Sequence, residues 1–462
     1  MAKEWGDVGV EYWFLSLTLC VGALLVFFTP PFQAPDEDSH FKRAYALSEG
    51  AIVAVNQGGV SGHFLPRDIL DFEQAHRRMI GNLSEKYTFS ELYTWSAAKK
   101  VDPSNRVFAS YSSASSSFLM YIPQALGVWL GRHLGNGSPL VMMHLGRFFN
   151  LILFCCAIFW TIRLLPVARV GAGMLSIMPM TIHLASSLSY DVSVISACFL
   201  TTAYLLKLVL DGEHRRIEGR VLGFLILASI LLAHYKTVYF SIMGLLLLVP
   251  AERFARYSRF KVLGLVFSVG PLSILFSQFI DHLLGNNSQK NIYVQRQISW
   301  ILNNPIGGIA TIPRSLIRNF TFYHESFIGK FGWLDTNPPS AFIVLYSLAL
   351  ILVFIIERPS IALSWQLRSI LVSAVLVTAA FIFGFFYVNW TPLPGHMGVG
   401  SPIVDGVQGR YFIPLAMMAG LVISGPPVIW VGRNRLCWTL IKVFSVFSCG
   451  ITVFTVVSRY FW

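Results

Sequence analysis

The sequence predicts an all-α polytopic membrane protein, and three observations carry this prediction. The 462 residues are 55% hydrophobic, and only 13% are charged, whereas soluble proteins have about 25% charged residues. Apolar runs that are long enough to cross a bilayer as helices recur along the chain. A membrane β-barrel would instead show short segments of alternating polarity. We therefore expect a single transmembrane domain over residues 1–462.

Twelve apolar runs define the predicted helices. The first run lacks a signal-peptide cleavage pattern, so we expect it to be a retained anchor. The six cysteines lie in or beside these runs without metal-ligand spacing, which is typical of small buried side chains. The runs lie near residues 12–28, 112–130, 139–162, 171–187, 192–210, 221–234, 237–250, 262–280, 340–356, 369–388, 411–430 and 436–457.

Basic residues concentrate in short loops, each separated from the next by two apolar runs. Such loops face the cytoplasm, and this spacing lets all of them lie on one side of the membrane. The topology accounts for the net charge of +12 without a nucleic-acid partner. The loop residues are Arg163, Arg169, Lys207, Arg215, Arg216, Arg220, Arg253, Arg256, Arg259, Lys261, Arg358, Arg368, Arg433 and Arg435.

The segment 112–130 is predicted not to cross the membrane. With the N-terminus inside, residues 31–110 lie outside, and an odd number of crossings must separate them from the basic loop at Arg163. Two runs lie between, and 112–130 is the weaker because it starts in a serine-rich stretch and contains Pro123. We therefore expect a juxtamembrane helix there, a first outer loop over 31–138, about eleven crossings and an outer C-terminus.

Two other regions leave alternatives. The runs 221–234 and 237–250 are short for single spans, and they form either a pair of short helices or one long helix. The pair is favoured because one helix would place the basic loop around Lys261 outside. Residues 282–339 form a second large outer loop, where apolar stretches broken by prolines indicate amphipathic helices on the membrane surface.

A cluster of charged residues follows the first apolar run directly. Residues 35–43 read Pro-Asp-Glu-Asp-Ser-His-Phe-Lys-Arg. Asp36 is suited to cap a helix, with Glu37 in its first turn, and a helix would place Asp36, His40 and Arg43 on one face. Capping does not explain the histidine and the arginine. Polar clusters beside membrane spans tend to be functional, so we predict a site for proton transfer here.

Further ionisable residues are predicted at outer span ends, and few fall in mid-span, which favours a reaction centre at the outer rim over a proton-coupled transporter. Asp191 either caps a helix or places a second carboxylate near Asp36, where the two would hold a divalent metal or orient an acceptor. Lys236 either binds an anion or is a snorkelling anchor. Arg410 lies next to flexible glycines and either binds phosphate or anchors the interface.

Five motifs carry a resemblance to a family of bacterial multi-pass membrane proteins. The first is Pro-Asp-Glu-x-x-His at 35–40, and the second is the serine-rich turn with aspartate at 187–191. Lys-x-x-Tyr follows at 236–239, and Gly-x-x-Asp at 332–335. The last is Gly-x-Gln-Gly-Arg-Tyr at 406–411. The ordered set extends over most of the chain.

That family in turn resembles the GT-C superfamily of lipid-linked glycosyltransferases. Protein O-mannosyltransferases carry a similar Asp-Glu-x-His-Phe in their first outer loop, and this chain has one residue more between Asp36 and Phe41. The resemblance implies a GT-C-like fold of about 11 transmembrane helices with interfacial helices in large outer loops. It also implies that the first-loop acid is the catalytic base, which favours Asp36 and leaves Glu37 as the second choice.

By the same resemblance, we expect an inverting glycosyltransferase of the bacterial inner membrane with its site facing outward. The donor would be a polyprenyl-phosphate-linked sugar, and the acceptor a cell-surface glycan or a protein. A divalent cation such as Mg²⁺ or Mn²⁺, held by Asp36 and Asp191, would be the one cofactor. The expected substrate-binding residues are His40, Arg43, Asp191, His234, Lys236, Tyr239, Asp335, Gln408, Arg410 and Tyr411.

Three other functions fit the same sequence. A lipid-linked glycan polymerase would use similar chemistry and give a ladder of longer products. A lipid or sugar transporter, such as a flippase, would move its substrate without consuming it. A structural scaffold of the cell envelope would tolerate substitution of the polar motifs.

Overall fold

The structure is a computed structural model, in which helices predominate. Four of the basic loop residues, Arg215, Arg256, Arg358 and Arg433, lie outside the described residues. The structure describes residues 9–97, 100–210, 216–254, 257–283, 292–357, 363–424 and 435–462.

The N-terminal third combines two long helices with a polar segment that carries short helices and strands. Two 3₁₀ turns, Arg77–Met79 and Phe118–Tyr121, also occur here. In chain order the elements are α1 (Val10–Phe28), α2 (Glu37–Ser48), β1 (Val55–Gln57), β2 (Val60–Pro66), α3 (Arg67–His76), α4 (Phe89–Ser96), β3 (Arg106–Ser110), α5 (Ile122–His133) and α6 (Pro139–Leu164).

The remaining chain is helical in its described parts. The middle third contains α7 (Arg169–Ser176), α8 (Pro179–Ala185), α9 (Asp191–Leu210), α10 (Gly219–Tyr235), 3₁₀ helices at Thr237–Leu248 and Ala251–Phe254, and α11 (Arg259–Leu283). The last third contains α12 (Ile292–Asn303), α13 (Pro305–Arg318), α14 (Phe320–Ile328), α15 (Ser340–Ile356), α16 (Trp365–Asn389), a 3₁₀ turn at Gly409–Phe412, α17 (Ile413–Ile423) and α18 (Arg435–Phe461).

Within the described ranges, six helices are long and apolar enough to cross a membrane: α1, α6, α9, α11, α16 and α18. Four shorter apolar helices lie at Gly219–Tyr235, Thr237–Leu248, Ser340–Ile356 and Gly409–Ile423. The run expected to be one span at 171–187 is instead divided into α7 and α8. The division falls at Pro179, which has no backbone N–H to continue a helix and begins α8 instead. The count of eleven crossings therefore stays a prediction.

The juxtamembrane segment 112–130 contains a helix that is too short to cross a bilayer. The 12 residues of α5 extend about 18 Å, against a hydrocarbon core of about 30 Å. α5 packs along α6 and α2. A Cβ atom at Gly127 would lie 2.3 Å from the carbonyl oxygen of Leu145, so glycine is required for this close approach. The helix thus braces the first outer loop against the bundle.

The first outer loop contains a small sheet that the all-α prediction did not include. Strands β1, β2 and β3 form an antiparallel sheet in that order, with Phe64 opposite Phe108. Alternate residues of β2 face opposite sides, so His63 and Leu65 are buried while Phe64 is exposed. Strands of three to seven residues produce a weak sequence signal beside long apolar runs, which is why this part of the prediction was wrong.

The backbone conformation of Lys236 decides between one long helix and a pair of short helices over residues 221–250. Lys236 is extended, with φ −158° and ψ 110°, and it ends α10 before the 3₁₀ helix begins. The favoured pair of short helices is therefore confirmed, although the second member is 3₁₀ rather than α. The bend directs Lys236 toward the start of α9.

The second outer loop contains amphipathic helices, as expected. Ile306, Ile309 and Ile317 of α13 are 84%, 72% and 81% exposed, so α13 has an apolar face that the described residues leave exposed. Such a face suits a helix lying on a membrane surface. A break occurs before Pro305, but α13 continues through Pro313, so the second expected break is wrong.

Candidate functional site

Asp36 is held in an unusual backbone conformation between α1 and α2. Its φ is +58°, and Phe32 in the same turn has a φ of +63°, both in the left-handed region that non-glycine residues rarely adopt. The Asp36 side chain makes no capping hydrogen bond to α2, so the capping prediction is wrong. The carboxylate is 48% exposed instead. Strain of this kind tends to occur at functional sites because surrounding contacts must maintain it.

Arg410 is the partner of Asp36. Its Nη2 donates to Oδ2 of Asp36 at 2.6 Å, and its side chain is only 2% exposed. Nη1 lies 3.7 Å from Oδ2 of Asp191. Among the described residues, Nε and Nη1 of Arg410 are buried without a hydrogen-bond acceptor. A buried guanidinium with unused donors is suited to receive an anion.

Lys236 extends the same network on the far side of Asp191. Its Nζ donates to Oδ1 of Asp191 at 2.9 Å. The ammonium also lies over two aromatic rings, 4.9 Å from the centroid of Tyr190 and 4.6 Å from that of Tyr411. Cation–π attraction holds the lysine there. Asp36, Arg410, Asp191 and Lys236 therefore alternate in sign, and we call them the four-charge cluster.

His40 closes one side of the cluster. Its Nδ1 lies 2.8 Å from the Tyr121 hydroxyl, and its ring meets the Tyr190 ring edge-on at 5.0 Å. Burial lowers the pKa of His40 more than the neighbouring carboxylates, Asp36 first, raise it, so the imidazole is neutral near pH 7. Partial burial raises the pKa of Asp36, but the opposing effects, of which the charge of Arg410 is the largest, together lower this pKa by more, so the resulting pKa is below the ordinary value of 3.8.

Glu37, the second candidate for the base, is inaccessible. It is fully buried, and its two carboxylate oxygens accept from Nε and Nη2 of Arg147 at 2.8 and 2.6 Å. The Leu188 backbone N–H also donates to it at 3.1 Å. Arg147 further donates to the carbonyls of Val26, Thr29 and Pro30. This pair fastens the end of α1 to α2 and α6, so it supports the site rather than reacting in it.

Tyr239 and Tyr411 border the cluster, and Gln408 lies two residues before Arg410 in the sequence. The Tyr239 hydroxyl donates to the Tyr411 carbonyl at 2.7 Å and holds the backbone beside Arg410. The Tyr411 ring stacks on Phe386 with centroids 5.2 Å apart. The side-chain oxygen of Gln408 is buried and receives no hydrogen bond from the described residues.

Three expected substrate-binding residues have other partners. Arg43 is 1% exposed and donates to the backbone carbonyls of Ala51, Ile52 and Ser116. His234 contacts Ser273 of α11, and Asp335 lies 3.7 Å from Arg459 near the end of α18. The prediction that these three residues contact the substrate is therefore not supported by their positions.

The comparisons with known proteins give one match. The family model described as "Predicted membrane protein (DUF2142)" matches residues 19–419, which include the whole four-charge cluster. The chain belongs to this family. Neither the search of curated proteins nor the search of solved structures found a match.

Two features of this DUF2142 protein's site escaped the sequence analysis. Arg147 lies within an apolar run and was overlooked, although a charge in such a run is itself a signal of a buried partner. Tyr121 carried no comparable signal, because its role arises only when α5 packs beside α2. Arg147 holds Glu37 and Tyr121 holds His40, so both residues position side chains beside the cluster and are not members of it.

Asp36 and Asp191 are not suited to hold the metal ion that was expected there. Each carboxylate already faces a cation, Arg410 or Lys236. Within the described part of the chain, no three His, Cys, Asp or Glu side chains are grouped as metal ligands. A divalent cation prefers six or more oxygen ligands and would be repelled by the two cations.

Gly409 permits the backbone approach that places Arg410, and its substitution should displace this side chain. A Cβ atom at Gly409 would lie 1.9 Å from the Tyr323 carbonyl oxygen. We expect Gly409→Ala to lower the free energy of unfolding by about 1–3 kcal/mol, measured by thermal unfolding of the purified protein. Gly384→Ala is the matched control, because a Cβ atom there meets nothing within 4 Å. Equal stability of the two variants would contradict the prediction.

Proposed function

We propose that the protein is an inverting glycosyltransferase that moves a sugar from a polyprenyl-phosphate donor to a cell-surface glycan or similar acceptor. The observation that supports this proposal most is the contact between a half-exposed carboxylate, Asp36, and a buried arginine with unused donors, Arg410. Such a site can remove a proton and bind a phosphate side by side. Transfer from a lipid phosphate requires both actions.

The cations of the cluster suit the donor phosphate. The leaving polyprenyl phosphate gains negative charge as the bond to the sugar breaks. Nε and Nη1 of Arg410 can donate to its oxygens without giving up an existing hydrogen bond, and Lys236 supplies a second positive charge. Fixed donors aimed at developing charge stabilise a transition state strongly when water is excluded.

Donor binding would also strengthen the base. Burial raises the pKa of Asp36, and Arg410 holds the pKa low by its charge. A phosphate bound to Arg410 would neutralise part of that charge, so the pKa of Asp36 would rise as the donor arrives. Asp36 then takes the proton of the acceptor hydroxyl, whose oxygen bonds to the anomeric carbon. The carbon–oxygen bond to the phosphate breaks, and its electrons leave with polyprenyl phosphate.

The position of the cluster agrees with an outward-facing site in the bacterial inner membrane. Asp191 begins α9, and Lys207, from a predicted cytoplasmic loop, lies in the last turn of the same helix. The two residues are 16 positions apart, which corresponds to about 24 Å along the helix axis. The cluster and the basic loop are thus separated by nearly the thickness of a hydrocarbon core.

The test compares the surface glycans of cells that make the wild type, Asp36→Asn or Asp38→Asn, by mass spectrometry at matched expression. Asp38 is the control because it is a carboxylate two residues after Asp36 that lies 3.7 Å from Lys42, outside the cluster. We expect a sugar mass with the wild type and Asp38→Asn that is absent with Asp36→Asn. Identical glycans from all three folded proteins would refute the proposal and favour the transporter or scaffold function. A ladder of masses would indicate the polymerase.

A further inference from the structure

A second charged site lies at the opposite end of α9 from the four-charge cluster. A cavity of about 260 Å³ opens there among the ends of α6 and α9, the start of α10 and the 3₁₀ turn Ala251–Phe254. Its polar lining comes from Lys207, Arg216, Glu218, Arg220 and Arg253. We propose that this cavity binds the phosphate headgroup of an anionic membrane phospholipid.

The charge of the lining favours a phosphate ester. Among the described residues that line the cavity, four carry a positive charge, and Glu218 is the one carboxylate. Arg216 and Arg220 are exposed at the rim, whereas Arg253 is 6% exposed in the wall. Arginine donates two parallel hydrogen bonds to phosphate oxygens, and lysine adds a compact charge.

The backbone adds to the attraction for an anion. α10 begins at Gly219, so its unpaired N–H groups and the positive end of its dipole lie at the cavity. The Ile217 backbone N–H donates to the Arg253 carbonyl at 2.7 Å and holds the chain before α10 against the 3₁₀ turn. The cations thus come from α9, the segment before α10, α10 itself and the 3₁₀ turn, and the backbone bond joins that segment to the turn.

The surroundings favour a lipid over a soluble phosphate compound. Leu164, Leu208 and Val221 line the same cavity, so apolar groups lie beside the charges. The volume is below the ~300–1,000 Å³ typical of sites for whole drug-sized ligands, which suits a headgroup whose acyl chains remain in the bilayer. Basic pockets between membrane helices on the cytoplasmic side are a known arrangement for anionic headgroups.

The test titrates fluorescent phosphatidylglycerol into the purified full chain in neutral detergent. We expect Arg216→Gln/Arg220→Gln to raise the dissociation constant on the order of tenfold or more. The matched control is Arg259→Gln/Lys261→Gln, which removes the same charge from the start of α11 outside the cavity and should leave the constant unchanged. Because Arg216 and Arg220 are exposed at the rim, the Arg216→Gln/Arg220→Gln variant should unfold at the temperature of the wild type.

Competition separates the possible sources of the phosphate group. Excess inorganic phosphate should displace the lipid only weakly, and phosphatidylcholine should not displace it. Equal loss of binding in the two double variants would overturn the proposal, because it would indicate general surface attraction. Tight binding of inorganic phosphate with no preference for phosphatidylglycerol would also overturn it. None of these measurements depends on sugar transfer, so the outcome is independent of the proposed function.

Discussion

Glu37→Gln should destabilise the protein by about 3–5 kcal/mol, because it leaves the buried Arg147 without a counter-charge. Both side chains are fully buried, and the carboxylate accepts hydrogen bonds from Arg147 and from the Leu188 backbone. An amide cannot accept all of these bonds, since one of its two ends is a donor. A loss of this size is a large part of the 5–15 kcal/mol that stabilises a typical domain.

The measurement is the thermal unfolding of the detergent-purified variant together with its yield of monodisperse protein. Asp36→Asn is the informative comparison, because Asp36 is half exposed and Asp191 remains 3.7 Å from Arg410 as a counter-charge, so this variant should still fold while losing transfer. Glu37→Gln is thus expected to lower stability, whereas Asp36→Asn is expected to abolish transfer. A Glu37→Gln protein with wild-type stability and no transfer would contradict this assignment and make Glu37 the base.

Arg410→Gln should slow sugar transfer on the order of 10²–10³-fold, the effect of removing one preorganised donor from developing negative charge. It should also move the acid limb of the pH–rate profile to higher pH. In the wild type the pKa of Asp36 is below 3.8, because the opposing effects, led by the charge of Arg410, lower it by more than burial raises it. Without the guanidinium, the effect of burial meets a weaker opposing effect, and the pKa of Asp36 should rise. The base would then be protonated over a wider range of acidic pH.

The lowered pKa of Asp36 also predicts how the folding stability of the protein depends on pH. A depressed carboxyl pKa adds stability above the pKa of the unfolded chain, about 3.9, and this stability is lost as the pH falls through the folded pKa. The difference in unfolding temperature between wild type and Arg410→Gln should therefore be constant near neutrality and narrow below about pH 4. Arg314→Gln removes an exposed arginine of α13 as a control. Unchanged profiles in Arg410→Gln would contradict the pairing.

The members of the site were largely predictable from sequence, because charge placement in a membrane chain is constrained. The basic loops predicted which turns face outward, and Asp36, Asp191, Lys236 and Arg410 all lie in that predicted set of turns. Charges that end on one side of a helical bundle have few partners other than one another. The structure brings these four together.

Side-chain directions were not predictable in the same way. A helical spacing placed Asp36, His40 and Arg43 on one face, but Asp36 precedes α2 in a left-handed conformation, so the spacing does not apply to it. Arg43 donates to backbone carbonyls and Asp335 pairs with Arg459, so neither side chain faces the cluster. These partners come close only when the chain is folded. Local pattern fixes where a residue lies, whereas long-range packing decides what it contacts.

The contact between Asp36 and Arg410 joins residues that are 374 positions apart. At a synthesis rate of roughly 5–20 residues per second, about 20–75 s pass between the emergence of the two side chains. During that interval, Asp36 is present in the nascent chain but Arg410 has not yet been synthesised. The pair is therefore completed among the last events of biogenesis, and the proposed function predicts that a chain lacking the final quarter is inserted yet inactive.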